Sequence, residues 1–401
     1  MSNLLLSFYG DDFTGSTDAV EALARGGLRT ILFARPPTPQ QLAHYDGLRA
    51  FGVAGMTRSM PPDEMERTLR PALTALAASG APIVHYKVCS TFDSSPTVGS
   101  IGKAIDVGAE VFAAPVVPVV VGAPALGRYC VFGNLFARAG TESEPYRLDR
   151  HSMSRHPTTP MNEADLRLHL ARQTGRTIGL IDVVALANHP TDLSHAKADI
   201  VLIDLLSERD LPTVGRLLST TRFVVGSSGV ESALMAHWGS RPASFPEVAS
   251  AGAVLAVCGS CSPVSVRQVD WAIDHGFLEV PFDIADAGRE AARAIRNGRS
   301  VVIHTRHACP EPEALGALVH ELIEATGVRR LLVAGGDTSG QIARALGIES
   351  LEMIGELTRG APLCRATAPN APADGIEVTF KGGQIGPVDF FGLVRDGSRH
   401  A

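Results

Sequence analysis

The stretch Phe8-Tyr9-Gly10-Asp11-Asp12-Phe13-Thr14-Gly15-Ser16-Thr17-Asp18 closes an apolar run, Leu4–Phe8, with two adjacent carboxylates and then opens an amphipathic segment over Ser16–Arg25. A strand that runs into a helix through such a turn presents its side chains at the carboxyl edge of a parallel sheet, where open α/β folds take their ligands. Two acids at that edge can accept a proton from a hydroxyl or hold a metal ion. The plainer reading is that Asp12 or Thr14 caps the helix, since both residue types favour that position. A second acid exceeds what one cap needs.

Outward from this turn, short apolar runs alternate with amphipathic ones. Strands are predicted at Leu4–Phe8, Thr30–Phe33, Ala50–Val53, Ile83–Lys87, Val111–Ala113, Val116–Val121, Ile178–Ile181, Ile200–Ile203 and Phe223–Val225. Helices are predicted near Ser16–Arg25, Pro62–Ala78, Val98–Val107, Glu163–Gln173 and Ser207–Ser219. That alternation implies parallel βαβ units. The Ser-, Pro- and Ala-rich stretch Gly239–Gly252 interrupts the pattern and reads as a linker, placed to about four residues. A second series follows through Val254–Cys258, Pro263–Asp274, Val301–His304, Pro312–Thr326, Leu331–Val333, Ser339–Leu346 and Ile376–Lys381. A chain of 401 residues also exceeds what one core usually serves. The expected architecture is α/β with two domains, 1–240 and 253–401, each a largely parallel sheet flanked by helices.

Composition excludes several classes. A net charge of -6 argues against a broad nucleic-acid surface, and no uninterrupted apolar run has the length of a membrane span. The N-terminus lacks the basic flank and apolar core of a signal peptide, so a cytoplasmic location is expected. Six irregularly spaced cysteines are no disulfide framework. Cys258-Gly259-Ser260-Cys261 could form a redox pair at a strand-to-helix turn, but its thioredoxin-like context is missing and no second C-x-x-C completes a zinc site. His304-Thr305-Arg306-His307 lacks the helical pairing with glutamate found in zinc hydrolases. His151 and His156 flank a polar loop.

The second half of the chain carries phosphate-binding logic. Leu331–Val333 runs into Ala334-Gly335-Gly336-Asp337-Thr338-Ser339-Gly340, where glycines let backbone N–H groups approach an anion and the next helix adds its positive end. Lys381-Gly382-Gly383-Gln384 ends another strand with a cation beside flexible backbone, and Gly259-Ser260-Cys261-Ser262 supplies a third turn with hydroxyl donors. Three such turns converging on one sheet edge predict a nucleotide site. It is not a Walker site: around Gly99–Ala104, Thr97 replaces the first glycine and Ala104 the metal-binding hydroxyl. Gly226-Ser227-Ser228-Gly229 has no dinucleotide fingerprint.

The first half supplies cations suited to an acidic substrate. Arg58 follows a strand and can hold a carboxylate bidentately, as a lysine cannot. Lys87 ends a strand beside Ser90 and Thr91, a set suited to the hydroxyls of a short polyol. The plainer reading of either cation is a surface salt bridge.

Taken together, Gly10–Asp18, Thr57-Arg58-Ser59, Lys87 with Ser90-Thr91, Gly127-Arg128, Pro157–Met161, Gly259-Ser260, Gly335–Gly340 and Lys381-Gly382-Gly383 resemble, in order and spacing, the four-carbon acid sugar kinase family, long carried as a domain of unknown function. The resemblance implies ATP-dependent phosphorylation of small sugar acids such as threonate, erythronate and their 3-oxo forms, in a cleft between the domains. It implies a sugar acid on the first domain, with Arg128 among its contacts, and ATP on the second. Asp12, or failing that Asp11, is expected to take the hydroxyl proton. Magnesium is expected with the nucleotide, held mostly by phosphates rather than by a dedicated protein site. A small sugar acid is the expected partner, with no nucleic acid and no membrane. A homodimer is carried as an open expectation, and a non-catalytic sugar-acid sensor stands beside the kinase.

Two departures bear on the substrate. Most members follow Ser-Thr with an arginine and a glycine, whereas Phe92 here leads to Asp93 and Ser94. The usual acid ahead of Pro157–Met161 is replaced by Arg155 and His156. These changes point to a branched acid such as 3-oxo-isoapionate.

Overall fold

The computed structural model describes residues 4–139, 143–156, 158–194, 197–283, 286–306 and 312–397; Pro157 and His307, named above, lie outside them. The chain divides into two compact units, the first running to Thr30 and then over Arg35–Ala243, the second comprising Ile31–Ala34 and the chain from Ser244.

In chain order the first half contains β1 (Leu6–Gly10), β2 (Thr30–Phe33), β3 (Ala50–Ala54), β4 (Ile83–Lys87), β5 (Val117–Val120), β6 (Arg128–Val131), β7 (Asn134–Arg138), β8 (Pro145–Arg147), β9 (Ile178–Ile181), β10 (Ile200–Ile203) and β11 (Phe223–Gly226). The first unit's main sheet has the order β3-β1-β4-β11-β5-β10-β9, and its pairings are all parallel. Every residue of β1, β4 and β11 is buried. Such runs suit a parallel sheet covered on both faces. Register aligns Gly10 with Lys87, Lys87 with Gly226 and Gly226 with Val120, so the loops after four adjacent strands open from one level edge.

Several local expectations fail for identifiable reasons. Val111–Ala113 is no strand: Val111 ends a helix, Ile101–Val111, and Ala113 turns the chain with φ 47°. A three-residue apolar run cannot by itself distinguish the two. The helix expected over Glu163–Gln173 covers only Leu166–Leu170, capped by Asp165. A helix at Gly229–Trp238 follows directly from the Gly226–Gly229 turn read above as a weak glycine signal. Strands β6, β7 and β8 form a separate antiparallel sheet, with β6 and β7 joined through Phe132 and Gly133, both at positive φ.

The second unit contains β12 (Leu255–Cys258), β13 (Leu278–Pro281), β14 (Val301–His304), β15 (Arg330–Ala334), β16 (Ser350–Thr358), β17 (Ala361–Thr367) and β18 (Glu377–Lys381). Strands β13-β14-β12-β15-β18 are parallel; β17, β16 and β2 continue the sheet antiparallel. The carboxyl ends are again level, with His304, Cys258, Ala334 and Lys381 in one row. Strand β2 reaches this sheet from far away in sequence, pairing Leu32 with Leu351 and Phe33 with Ser350. No helix among the described residues is long and apolar enough to cross a membrane.

Since β2 is buried throughout, Leu32→Ala should destabilise the protein by about 2–5 kcal/mol. Denaturant titration checks this. A change within about 0.5 kcal/mol, the size expected of a neutral surface site, would show that β2 does not seal the sheet.

Candidate functional site

Gly10 ends β1 so tightly against the next helix that a Cβ there would lie 1.9 Å from Ser16 Oγ. Asp12 caps that helix, Phe13–Arg25. Its Oδ1 accepts from the Gly15 N–H at 2.7 Å, and its Oδ2 accepts from Thr14 Oγ1 at 3.0 Å and from Arg58 Nη1 at 2.8 Å. Both oxygens are therefore engaged. Asp11 is equally buried, yet only Oδ2 is approached, by Arg58 Nε at 3.4 Å; Oδ1 has no hydrogen-bond partner. Burial raises the Asp11 pKa to about 7, opposed by Arg58 and Lys87 and reinforced by Asp12 and Asp93. The structure thus separates the two acids: one is a cap, the other a free oxygen poised near neutrality.

Arg58 lies in a short turn, Thr57–Ser59, after β3. Its guanidinium meets Asp11 and Asp12, and Asp93 Oδ2 lies 3.9 Å from Nε. The expected bidentate grip on a substrate carboxylate is not open, because Nε and Nη1 are both committed to aspartates. Buried Nη2 alone has no partner. Lys87, at the end of β4, places Nζ 3.1 Å from Asp18 Oδ2 and donates to the Val88 carbonyl. Behind it, His85 lies 2.6 Å from Glu231 with both side chains fully buried, tying β4 to the helix Gly229–Trp238. Asp18 and Glu231 were not singled out from sequence. Asp18 stands four residues after Thr14, a helical spacing that puts the two on one face.

Thr91 donates to Asp93 at 2.6 Å, and its Oγ1 lies 3.0 Å from Cys89 Sγ. Ser90 is half-buried. Burial pushes the Asp93 carboxyl up, but Arg58, Thr91 and His156 together hold it below the usual range. Ser94 bonds to His169 at 2.8 Å and to Gln173 at 2.9 Å, which pins the loop beyond Phe92 (φ 55°). Asp93, read above as a departure, thus belongs to the charged cluster around Arg58. Arg128 begins β6, is buried, and donates Nη1 to the carbonyls of Leu126, Gly127 and Arg138.

In the second unit the three glycine turns touch one another. A Cβ on Gly259 would lie 2.0 Å from Thr338 Oγ1, and one on Gly383 would lie 2.4 Å from Ser260 Oγ and 3.2 Å from Ser262. Gly335, at φ 126°, adopts a backbone conformation that glycine accommodates best, and a Cβ there would lie 3.4 Å from the Ser260 nitrogen. Gly336 opens the helix Gly336–Ala345, with Asp337 and Thr338 in its first turn. Gly382 and Gln384 are half-buried beside Gly383.

Beneath these turns Lys381 is fully buried, its Nζ bonded to Ser265 Oγ at 3.2 Å. Burial lowers its pKa to about 8, opposed by Cys258. The helix Pro263–Asp274 fixes the last turn. Ser262 and Ser265 donate to the Gly383 carbonyl, and Gln268 Nε2 donates to the carbonyls of Ile385, Gly386 and Pro387. Ser265 and Gln268 escaped the sequence reading, although they follow Ser262 at successive intervals of three, which sets all three near one helix face. Cys258 and Cys261 are both free thiols.

Backbone donors, hydroxyls and a buried cation without a carboxylate are the chemistry of a phosphate cradle. Among the described residues no group of three or more His, Cys, Asp or Glu side chains is placed to hold a metal ion. A shallow groove lined by Glu313, His320, Glu321, Gln341 and Arg344 contains none of the predicted site residues.

Family comparison agrees with this division of chemistry. A sugar-binding N-terminal domain matches residues 6–234 and a nucleotide-binding C-terminal domain matches residues 255–391. The chain is 44% identical to a 3-oxo-isoapionate kinase of Paraburkholderia graminis, over 99% of this chain and 95% of the relative. It is 32% identical to a 3-oxo-tetronate kinase of Methylobacterium radiotolerans, over 98% and 99% of the two chains. A solved structure from Salmonella typhimurium LT2 superposes with TM-score 0.77 at 25% identity, covering 97% of each chain. Another, from Haemophilus influenzae, shares the fold with TM-score 0.71 at 20% identity, over 97% of this chain and 98% of that one. A sugar-binding unit joined to a nucleotide-binding unit, with relatives named as kinases, defines a phosphotransferase acting on a small sugar acid. The chain belongs to the four-carbon acid sugar kinase family.

A phosphate brought to Lys381 should restore its proton. At pH 8.5, ATP binding should therefore take up a fraction of a proton in the wild type and none in Lys381→Met. Titration calorimetry in buffers of different ionisation enthalpy measures this. Equal uptake in both proteins would remove Lys381 from the phosphate site.

Proposed function

We propose that this sugar-acid kinase transfers the γ-phosphoryl group of ATP to a hydroxyl of a 3-oxo or branched sugar acid, with Asp11 as the general base. The observation that carries the reading is the buried, unpartnered Oδ1 of Asp11, whose pKa of about 7 suits proton transfer near neutral pH. Asp12 is the weaker candidate, because its oxygens already serve the helix cap, Thr14 and Arg58. Asp11 Oδ1 would take the hydroxyl proton as that oxygen forms its bond to the γ-phosphorus, and the bond to the bridging oxygen breaks to release ADP.

On the second unit, the N–H groups of Gly336–Thr338 and Gly383, with the Ser260 and Ser262 turn and Lys381, would hold the phosphates. The contacts among the three turns and the anion-free Lys381 fit such a guest. Magnesium arriving with ATP supplies charge neutralisation at the phosphates. Lys87, Ser90 and Thr91 are proposed to line the sugar acid. The higher identity to the 3-oxo-isoapionate kinase than to the 3-oxo-tetronate kinase supports a branched acceptor. Dependence on ATP also supports a cytoplasmic location. A non-catalytic sensor would have no use for a base poised near neutrality.

A panel of four- and five-carbon sugar acids with ATP and magnesium, scored by ADP release, tests the reading. Asp11→Asn should lower turnover by roughly 10²–10⁴-fold while leaving the thermal shift by ATP intact, and Asp12→Asn should cost less. Wild-type activity should fall as pH drops through about 7. Stability should run the other way: a carboxyl with a raised folded pKa favours the fold at low pH and loses that contribution as pH rises through the folded value. Asp11→Asn should thus raise the melting temperature more at pH 8 than at pH 5. Undiminished turnover in Asp11→Asn would exclude it as the base.

A further inference from the structure

The hydrogens of Arg58 are unevenly shared. Nη1 is committed to Asp12 at 2.8 Å, and buried Nη2 has no partner. The single hydrogen on Nε stands between two acids, Asp11 Oδ2 at 3.4 Å and Asp93 Oδ2 at 3.9 Å. Both distances exceed the roughly 2.9–3.0 Å of a well-made N–H···O bond.

Asp93 is held in that position from its own side. Thr91 Oγ1 donates to its Oδ1 at 2.6 Å. Phe92, fully buried, carries the loop through φ 55°, a conformation that a bulky side chain rarely adopts. Beyond it, Ser94 Oγ lies within hydrogen-bond distance of the Phe92 carbonyl, His169 and Gln173. A strained backbone persists only where its surroundings over-determine it, and this loop has little freedom to swing the carboxylate away.

A charge so fixed acts on the neighbouring acid in two ways. It draws part of the Arg58 Nε–H away from Asp11, and it disfavours a second negative charge beside it. Burial raises the Asp11 pKa most; of the charged groups that face it, Arg58 and Lys87 oppose the rise, while Asp12 and Asp93 add to it. Lys87 is itself paired with Asp18. Tyr9, Tyr86 and Cys89 stand by as neutral groups, burial pushing Tyr9 to about 12 and the other two above their usual values. On the far side of Asp93 only His156 joins Arg58 and Thr91 among the groups that favour its charge from another side chain.

Resting on the assignment of Asp11 as the base, we propose that Asp93 is a positioning residue for the phosphoryl transfer: it holds Arg58 off Asp11 and so keeps that carboxylate able to take the hydroxyl proton.

The dependence of kcat/KM on pH for the preferred acid of the panel, in wild type, Asp93→Asn and Asp93→Glu, tests this. It is paired with carbon-13 NMR titration of the aspartate carboxyls, the Asp11 signal being the one missing from Asp11→Asn. In Asp93→Asn the Asp11 midpoint and the acid limb of the rate profile should both move about one pH unit below the wild-type value of about 7. The rate above the limb should fall as the base weakens. Asp93→Glu keeps the charge and should leave both midpoints near the wild type. A purely structural role would lower rate or melting temperature in Asp93→Asn without moving either midpoint, and that result overturns the proposal. Should Asp93→Asn not fold, Asp93→Ser, uncharged and smaller, is measured in its place. If the NMR midpoint stays while Asp11→Asn has lost turnover, the role of Asp93 alone is wrong. If the NMR midpoint moves and the acid limb does not, Asp11 is not the base and both readings fail.

Discussion

Burial of one guanidinium among three carboxylates organises the first unit's site. Arg58 meets Asp11, Asp12 and Asp93, and without it those acids could not share so little water. Taking charges out of water is expensive unless the partners also hydrogen-bond. The cluster meets that condition unevenly. Asp12 is satisfied by a helix N-terminus, Thr14 and Arg58; burial pushes the Asp93 carboxyl up, but Arg58, Thr91 and His156 hold it below the usual range. Asp11 receives only a long contact and carries the remaining cost as a raised proton affinity. A cation with more neighbouring anions than it can serve well thus makes one of them basic.

The second unit inverts the arrangement. There the buried ion is Lys381, its partner is the neutral Ser265, and the surrounding groups are glycine backbone and serine hydroxyls. A lysine so placed gives up its proton more easily than usual until an anion arrives. The helix Pro263–Asp274 supplies the rigidity, since Ser262, Ser265 and Gln268 hold the carbonyls of the turn around Gly383 and leave its N–H groups uncommitted to that helix.

Much of this was legible in sequence, for physical reasons. Buried parallel strands are short unbroken apolar runs, and the glycine turns after β12, β15 and β18 stand out because little else permits such close approach. What could not be read depends on pairing at a distance. Asp11 and Asp12 are indistinguishable until Arg58 and the Gly15 N–H choose between their oxygens. The apparent fitness of Arg58 for a substrate carboxylate dissolves once Asp93 is seen beside it. Strands β6 and β7 are only half-buried on one face and turn through Phe132-Gly133, not a common hairpin pair, so little local signal announces them. Nothing in Thr30–Phe33 reveals which sheet it will join.

That last strand has a consequence for how the chain is made. Strand β2 leaves the ribosome early, but its partner Ser350–Glu352 is synthesised about 300 residues later, which at roughly 5–20 residues per second is a wait on the order of 15–60 s. Throughout that interval this buried strand lacks its partner Ser350–Glu352. The first unit can therefore close its own sheet during synthesis, whereas the second gains its edge only near the end. A nascent chain halted beyond residue 243 would combine a finished sugar-binding fold with a strand whose side toward Ser350–Glu352 is still open to a neighbour, so chaperone dependence should concentrate in the last third of translation.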